Sequence, residues 1–160
     1  MLKIFNLKEK PEYLKEVTLL EMKEWAEDKN ITEERLKDKM EGIITRFDSE
    51  YFCKLVLLDE DKLIGFISMF EEDMDERPDL KPWYATMYVK SEYRGKGYSK
   101  ILNAAILDEA NNRGFDKLYL KSTLNNYYEK FGAIFMEKIN DEKLYYIKTR
   151  RLNENNRISR

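Results

Sequence analysis

The sequence contains no histidine and only one cysteine, Cys53, among its 160 residues. Histidine is the most common metal ligand and general base in proteins, and a lone cysteine cannot form an internal disulfide. These absences argue against a metal site, against a Ser-His-Asp or Cys-His arrangement and against a disulfide framework. Because Cys53 lies in an apolar stretch with no histidine to activate it, we expect a buried structural thiol and not a covalent nucleophile.

Long apolar runs are missing as well. No stretch approaches the roughly 20 consecutive apolar residues of a membrane-spanning helix. The N-terminal stretch MLKIFNLKEKPEYLKE carries charges throughout and lacks the apolar centre of a signal peptide. We therefore expect a cytoplasmic protein that has no membrane partner.

The chain also lacks an excess of positive charge. It has 31 acidic and 29 basic residues, a formal net charge of −2 and an isoelectric point near 5.5. This balance, with the basic residues dispersed, argues against a nucleic-acid partner. A length of 160 residues with 42% hydrophobic composition suffices for one buried core. We expect one domain over residues 1–149, followed by a basic polar tail over residues 150–160.

Strand and helix patterns alternate along this domain. A short strand over residues 2–5 precedes two helices, the first starting near Pro11 and the second capped by Thr32. The second helix has the spacing of one buried face at Leu36, Met40, Ile43, Ile44 and Phe47.

The rest of the domain is dominated by strands. The runs YFCKLVLL and KLIGFISMF are typical of an antiparallel hairpin, and WYATMYV, FDKLYLKS and KLYYIKT are further strands. A helix follows Tyr98, and NNYYEKFG forms a short one. The order predicts an α/β (α+β) fold: a single mixed, mostly antiparallel sheet of about six to seven strands, flanked by about four helices.

A glycine-rich turn stands between the WYATMYV strand and the next helix. Its glycines allow successive backbone N–H groups to point the same way, and the helix start and two cations add positive charge. The turn therefore suits a phosphate or pyrophosphate, although a surface turn with two solvated cations is an alternative. Neither the P-loop motif nor the GxGxxG motif fits the sequence. The turn and helix start comprise Arg94, Gly95, Lys96, Gly97, Tyr98 and Ser99.

These six residues resemble the signature of the GNAT superfamily of acyl-CoA-dependent N-acyltransferases. That signature is Gln or Arg, two residues, Gly, one residue, and then Gly or Ala, so that Ser99 departs from its last position. A second stretch, LYLKSTLNNYYEKFGA, is similar to the strand and the Tyr-Glu-Lys-x-Gly helix of the family. The two motifs cover about residues 80–136, and the order of elements extends the resemblance to about residues 1–149.

The resemblance implies acetyl-CoA as co-substrate and no metal. It implies that the CoA pyrophosphate lies on residues 94–99 and that the pantetheine arm runs beside the WYATMYV strand, at Met87, Tyr88 and Val89. A backbone N–H near Met87 is expected to donate to the thioester oxygen, where negative charge grows during attack by an amine. Asn125 or Asn126 is expected to hydrogen-bond the pantetheine amides, or else to cap the short helix.

The resemblance also implies an acid and leaves the base open. Tyr128 aligns with the tyrosine that protonates the departing thiolate, and Tyr127 is the adjacent alternative. The WYATMYV strand has no carboxylate to deprotonate the amine, so the nearest candidates are Glu71, Glu72 and Asp73. We assign Glu72 as the base, against the alternative that this acidic run is a solvated loop.

The function implied is an N-acetyltransferase that moves acetyl from acetyl-CoA to a primary amine by direct attack in a ternary complex. The alternative is a non-catalytic acyl-CoA-binding or regulatory module of the same fold. The acceptor, a small-molecule or peptide amine, is left open. The oligomeric state, monomer or homodimer, is left open as well.

Overall fold

A computed structural model describes residues 1–150, and their architecture agrees with the predicted fold class. Seven strands form one mixed sheet in the order β1-β2-β3-β4-β5-β7-β6. Neighbouring strands are antiparallel except β4 and β5, which run parallel. The strands are β1 Leu2–Asn6, β2 Cys53–Asp59, β3 Lys62–Phe70, β4 Trp83–Val89, β5 Lys117–Ser122, β6 Ile134–Ile139 and β7 Glu142–Lys148.

Residues 1–150 contain three α-helices where the sequence predicted about four. They are α1 Leu14–Trp25, α2 Glu33–Arg46 and α3 Tyr98–Asn112. The predicted short helix in NNYYEKFG is a single 3-10 turn, Tyr128–Phe131, because left-handed residues stand on both sides of it at Asn126 and Gly132. None of the helices in this part of the chain is both long and apolar enough to cross a membrane. In the predicted tail, residues 151–160 lie outside the described residues.

The helix starts follow the sequence signals. Thr32 has an extended backbone, and its side chain accepts a hydrogen bond from the Arg35 N–H at 3.1 Å, as an N-cap does. On the predicted apolar face of α2, Leu36 and Ile43 are buried. Ile44 is 53% exposed, so the buried face of α2 includes fewer positions than the apolar pattern in the sequence predicts.

The helices cover both faces of the sheet. Along β2, Leu55 and Leu57 pack with α3 on one face, whereas Val56 and Leu58 pack with α1 and α2 on the other. This alternation follows the two-residue period of a strand. The central strands are therefore apolar on both sides, which explains why their sequences read as continuous apolar runs.

The sheet opens between β4 and β5. These two strands are joined at a single register position, Trp83 opposite Tyr119, and pairing does not continue toward their C-terminal ends. Just past that position β4 is irregular: two residues of β4 lie opposite one of β3 between the pairs Phe66–Tyr88 and Ser68–Ala85. The extra residue makes a bulge on the edge of the opening.

Candidate active site

Two adjoining hollows occupy the opening between β4 and β5. One, the turn cleft, has a volume of about 380 Å³ and is lined by residues 87–89, by Arg94 and Gly95, and by residues 97–99. The other, the central cavity, has a volume of about 540 Å³ and is lined by β4, β5, α1 and α2. Met87 contacts both. A ligand in the turn cleft can therefore reach a second ligand in the central cavity along β4.

The glycine-rich turn ends at the N-terminus of α3. Gly95 and Gly97 have left-handed backbones, with φ of 79° and 83°, and a Cβ at either position would meet nothing within 4 Å. No side chain among the described residues caps α3 at Gly97. The first N–H groups of α3 are thus free to bind an anion. The helix dipole and the open space beside the two glycines also favour anion binding.

The two cations of the turn have different positions. The Arg94 Nε donates to the Val89 carbonyl at 2.8 Å, and its guanidinium lies 5.4 Å from the centre of the Tyr88 ring. These contacts fix Arg94 at the cleft. Lys96 is exposed and does not line it. The structure therefore brings all of the predicted turn residues except Lys96 to one hollow.

The bulge on β4 is centred on Thr86. This residue has a φ of 40°, which is unusual for a β-branched side chain, and its hydroxyl donates to the Ser68 hydroxyl at 2.5 Å. Ser68 also accepts from the Lys54 ammonium at 2.8 Å. Because a bulge leaves strand N–H groups unpaired, this stretch next to Met87 can offer a donor to a bound carbonyl.

The two candidate tyrosines face different hollows. Tyr128 lines the central cavity and Tyr127 lines the turn cleft, and their rings stack with centroids 4.8 Å apart. Tyr128 also packs edge-on against the buried Tyr84 at 6.0 Å. Burial, reinforced by Tyr127, raises the pKa of Tyr128, so its phenol keeps its proton at neutral pH and can serve as a donor.

One carboxylate from the acidic run after β3 lies in the central cavity, and it is Asp73. Burial raises the pKa of Asp73 to about 6, while Lys121 lowers it and Glu142 raises it. A carboxylate with such a pKa is ionised at neutral pH yet basic enough to take up a proton.

The structure does not bring Glu72 to this cavity. Glu72 is exposed and lies 3.8 Å from Lys81, which also pairs with Glu71 at 3.1 Å. The backbone turns after β3, and the buried Met74 anchors the segment so that its neighbour Asp73 points inward. The assignment of Glu72 as the base is therefore not supported by its position.

The predicted asparagines also lie away from both hollows. The Asn125 side chain accepts a hydrogen bond from Lys143. Asn126 has a left-handed backbone with a φ of 57°. The residue that caps the 3-10 turn is Tyr127, and it makes no side-chain cap bond, so neither asparagine has the capping role. Their contact with a pantetheine arm stays a prediction.

A buried polar network beside the cavity was not predicted from the sequence. Lys54 on β2 is fully buried and donates to Glu21 of α1 at 2.6 Å and to Ser68 on β3. Ser68 bonds Thr86, which completes a path from α1 to the β4 bulge. The only signal in the sequence is a lysine within the apolar run YFCKLVLL. Residues 1–150 contain no cluster of three carboxylate or thiol side chains arranged to hold a metal ion.

Comparison with known proteins identifies the family. The family model described as Acetyltransferase (GNAT) family matches residues 14–133, which include the glycine-rich turn, the β4 bulge and Tyr128. The chain belongs to the GNAT family of acetyltransferases. The resemblance inferred from the two sequence motifs is thereby confirmed.

Solved structures share the fold of this GNAT protein. PaiA N-acetyltransferase from Thermoplasma acidophilum, solved in complex with coenzyme A, has a TM-score of 0.64 and 22% identity, covering 92% of this chain and 99% of that chain. Spermidine N-acetyltransferase from Vibrio cholerae has a TM-score of 0.70 and 19% identity, covering 96% and 98%. At these identities the likeness shows the fold alone.

A curated relative matches part of the sequence. N-alpha-acetyltransferase 30 of Schizosaccharomyces pombe is 32% identical over 82 residues, which are 48% of this chain and 54% of the relative. The chain thus spans about half the length of the relative that it matches.

Proposed function

We propose that this GNAT protein is an N-acetyltransferase that moves acetyl from acetyl-CoA to a primary amine by direct attack. The observation that carries the proposal is the junction of the two hollows at Met87, beside the β4 bulge. A cleft suited to phosphate opens there into a cavity that holds both a basic carboxylate and a protonated phenol.

The turn cleft fits the anionic end of acetyl-CoA. The Gly95 and Gly97 backbones leave open space beside the uncapped start of α3, and Arg94 is held at the same place. Residues 87–89 continue the cleft toward the central cavity, in agreement with the path expected for a pantetheine arm. Bound acetyl-CoA would supply an acetyl group activated as a thioester.

Two side chains of the central cavity can accept and donate the protons that acetyl transfer requires. Asp73 takes a proton from the acceptor ammonium, which frees the amine lone pair to form the new C–N bond as the C–S bond breaks. The Tyr128 hydroxyl donates a proton to the sulfur that leaves as a thiol, and the second proton that the nitrogen loses on becoming an amide restores the phenol. An N–H of the bulge near Met87 stabilises the carbonyl oxygen during attack. We therefore propose that Asp73, and not Glu72, is the base.

The single cysteine does not suit a covalent route. Cys53 is fully buried in the core against α3, and burial raises its pKa to about 12. A thiol in this state is a poor nucleophile. Its position agrees with the structural role expected from the sequence and supports direct transfer between two bound substrates.

The non-catalytic alternative loses its main support. The absence of a carboxylate on β4 favours that alternative, but Asp73 reaches the cavity from the loop after β3. Release of free thiol from acetyl-CoA, followed with a thiol reagent across a panel of primary amines, tests the proposal. Amine-dependent release is expected. Tight CoA binding with no release for any amine would instead favour a binding module. A cytoplasmic location stays a prediction from the sequence.

A further inference from the structure

The central cavity carries charges of both signs, and the two signs come from different elements. Lys39 and Arg46 reach the cavity from α2. Asp73 comes from the loop after β3, and Glu142 from the start of β7. Because this cavity is the proposed acceptor site, its charges bear on the class of amine that it accepts.

The α2 side of the cavity is basic. Burial lowers the pKa of Lys54 most, Glu21 opposes that effect, and Arg46 and Lys39 lower it further because their charges are close. Lys39 and Arg46 therefore lie near Lys54, whose own charge is already paired with Glu21 by a 2.6 Å hydrogen bond. This side has uncompensated positive charge and attracts an anion.

Arg46 is oriented for such a contact. Its Nε donates to the Gly42 carbonyl at 3.3 Å, and its guanidinium lies 4.6 Å from the ring centre of Phe52 and 5.6 Å from that of Phe70. Within residues 1–150, neither Arg46 nor Lys39 forms an ion pair. A guanidinium held over aromatic rings keeps terminal N–H donors for a planar carboxylate or a phosphate.

Carboxylates outnumber cations around the proposed base. Burial raises the pKa of Asp73 most, the cation Lys121 lowers it, and a second carboxylate, Glu142, raises it, and all three side chains line the cavity. In the described part of the chain none of the three forms a close ion pair. An ammonium that delivers its proton to Asp73 would be favoured here, whereas a second ammonium near Arg46 and Lys39 would be repelled.

We propose that the acceptor is a small primary amine that carries a carboxylate or phosphate, with its ammonium beside Asp73 and its anionic group beside Arg46 and Lys39. The proposal rests on the proposed function, since it names the substrate class of the same site. A polyamine fits this cavity poorly because it is cationic at both ends. An amine without an anionic group leaves Arg46 and Lys39 without a group of opposite charge.

Matched acceptors test the inference directly. The panel contains ω-amino carboxylates of three to six carbons, their neutral amides, the corresponding diamines, and aminoalkyl phosphates of similar length. We expect kcat/KM to be at least about tenfold higher for an anionic amine than for its neutral amide, as charge-assisted hydrogen bonds of ordinary strength would give. The carboxylate and phosphate series separate the two possible sources of the anion.

Variants of α2 connect the preference to named side chains. Arg46→Gln is expected to lower kcat/KM for the anionic amine about tenfold while changing that for the neutral amide little. Arg46→Glu should shift the preference toward the diamine, a gain that misfolding cannot produce. Lys37→Gln is the matched control, since Lys37 is an exposed lysine of the same helix that does not line the cavity. CoA affinity, measured by calorimetry, should stay unchanged in every variant.

The outcomes separate this inference from the proposed function. If diamines or neutral amides are acetylated as fast as the anionic amines, the inference is wrong while the N-acetyltransferase activity stands. Equal losses for charged and neutral acceptors in Arg46→Gln would also overturn it. If no amine of any class releases thiol from acetyl-CoA, the proposed function itself fails and the inference fails with it.

Discussion

Lys54 and Glu21 form a buried 2.6 Å ion pair. Lys54 is fully buried on β2, and Glu21, on α1, is 6% exposed. Ser68 and Thr86 continue the hydrogen-bonded path to the β4 bulge. The pair thereby connects the helix that covers the central cavity to the strand that lines it, and it holds Thr86 in its uncommon backbone conformation.

The first prediction concerns the stability that depends on this pair. Lys54→Met leaves the Glu21 carboxylate buried without its partner, which is expected to cost roughly 3–5 kcal/mol of unfolding free energy. Urea denaturation of the variant measures that cost. Lys62→Met is the control, because Lys62 is an exposed lysine at the start of β3. Adding Glu21→Leu to Lys54→Met should restore much of the loss. Equal stability of Lys54→Met and Lys62→Met would contradict a structural role for the pair.

The second prediction tests the anion site of the turn cleft. Gly97→Asp places a negative charge where a phosphate is expected, so CoA affinity should fall by about 10²-fold or more. Gly114→Asp is a matched control at the other end of α3. Both glycines have left-handed backbones, with φ of 83° and 91°, and open space around a would-be Cβ. Both variants should lose stability through this strained backbone, more so Gly114→Asp because the dipole of α3 disfavours a carboxylate at its C-terminal end, but only Gly97→Asp should lose CoA binding by calorimetry.

Local signals in the sequence were sufficient to predict the elements that depend on them. The Thr32 cap, the hairpin of β2 and β3, and the glycine turn before α3 are each specified by a few adjacent residues. The placement of Tyr128 in the cavity agrees with the role implied by the motif around it, although the role itself stays a prediction. For these features, chain neighbours supply the determining contacts.

Features that depend on distant parts of the chain could not be predicted from the sequence. Glu72 and Asp73 are adjacent and chemically equivalent in sequence, and only the packing around Met74 turns one outward and the other into the cavity. In the sequence Lys54 interrupts an apolar strand, and its partner Glu21 comes from a distant element, α1. The β4 bulge likewise results from register with β3, which no local pattern in WYATMYV indicates.

The third prediction assigns the acid. Tyr128→Phe should lower kcat by about 10²-fold while CoA affinity stays near wild type, because the proton is needed mainly in the transition state. Tyr127→Phe should be milder for kcat, since that side chain lines the turn cleft. Both variants keep the ring stack at 4.8 Å, so a difference between them reports on the hydroxyl. If steady-state kinetics showed the larger loss of kcat in Tyr127→Phe, Tyr127 would be the acid instead.

The fourth prediction assigns the base. With the Asp73 pKa at about 6, kcat/KM should fall as the pH drops through that value, because the carboxylate becomes protonated. Asp73→Asn should lose about 10²-fold in turnover at neutral pH and recover partly at high pH, where more of the amine is neutral. Glu72→Gln is the control, as Glu72 is exposed and near Lys81. If Glu72→Gln lost turnover and Asp73→Asn did not, Glu72 would be the base.

The fifth prediction follows from the same pKa and concerns stability. The Asp73 pKa is raised in the fold from 3.8 to about 6 by burial, so the native state binds a proton that the unfolded state releases. The contribution of Asp73 to stability is therefore fully present below about pH 4 and is lost as the pH rises through about 6. Asp73→Asn removes this penalty, and its melting temperature relative to wild type should increase between pH 4 and pH 8. Glu72→Gln should show no comparable trend because its side chain is exposed. Thermal unfolding curves at these two pH values that gave the same difference for Asp73→Asn would mean that Asp73 does not carry a raised pKa.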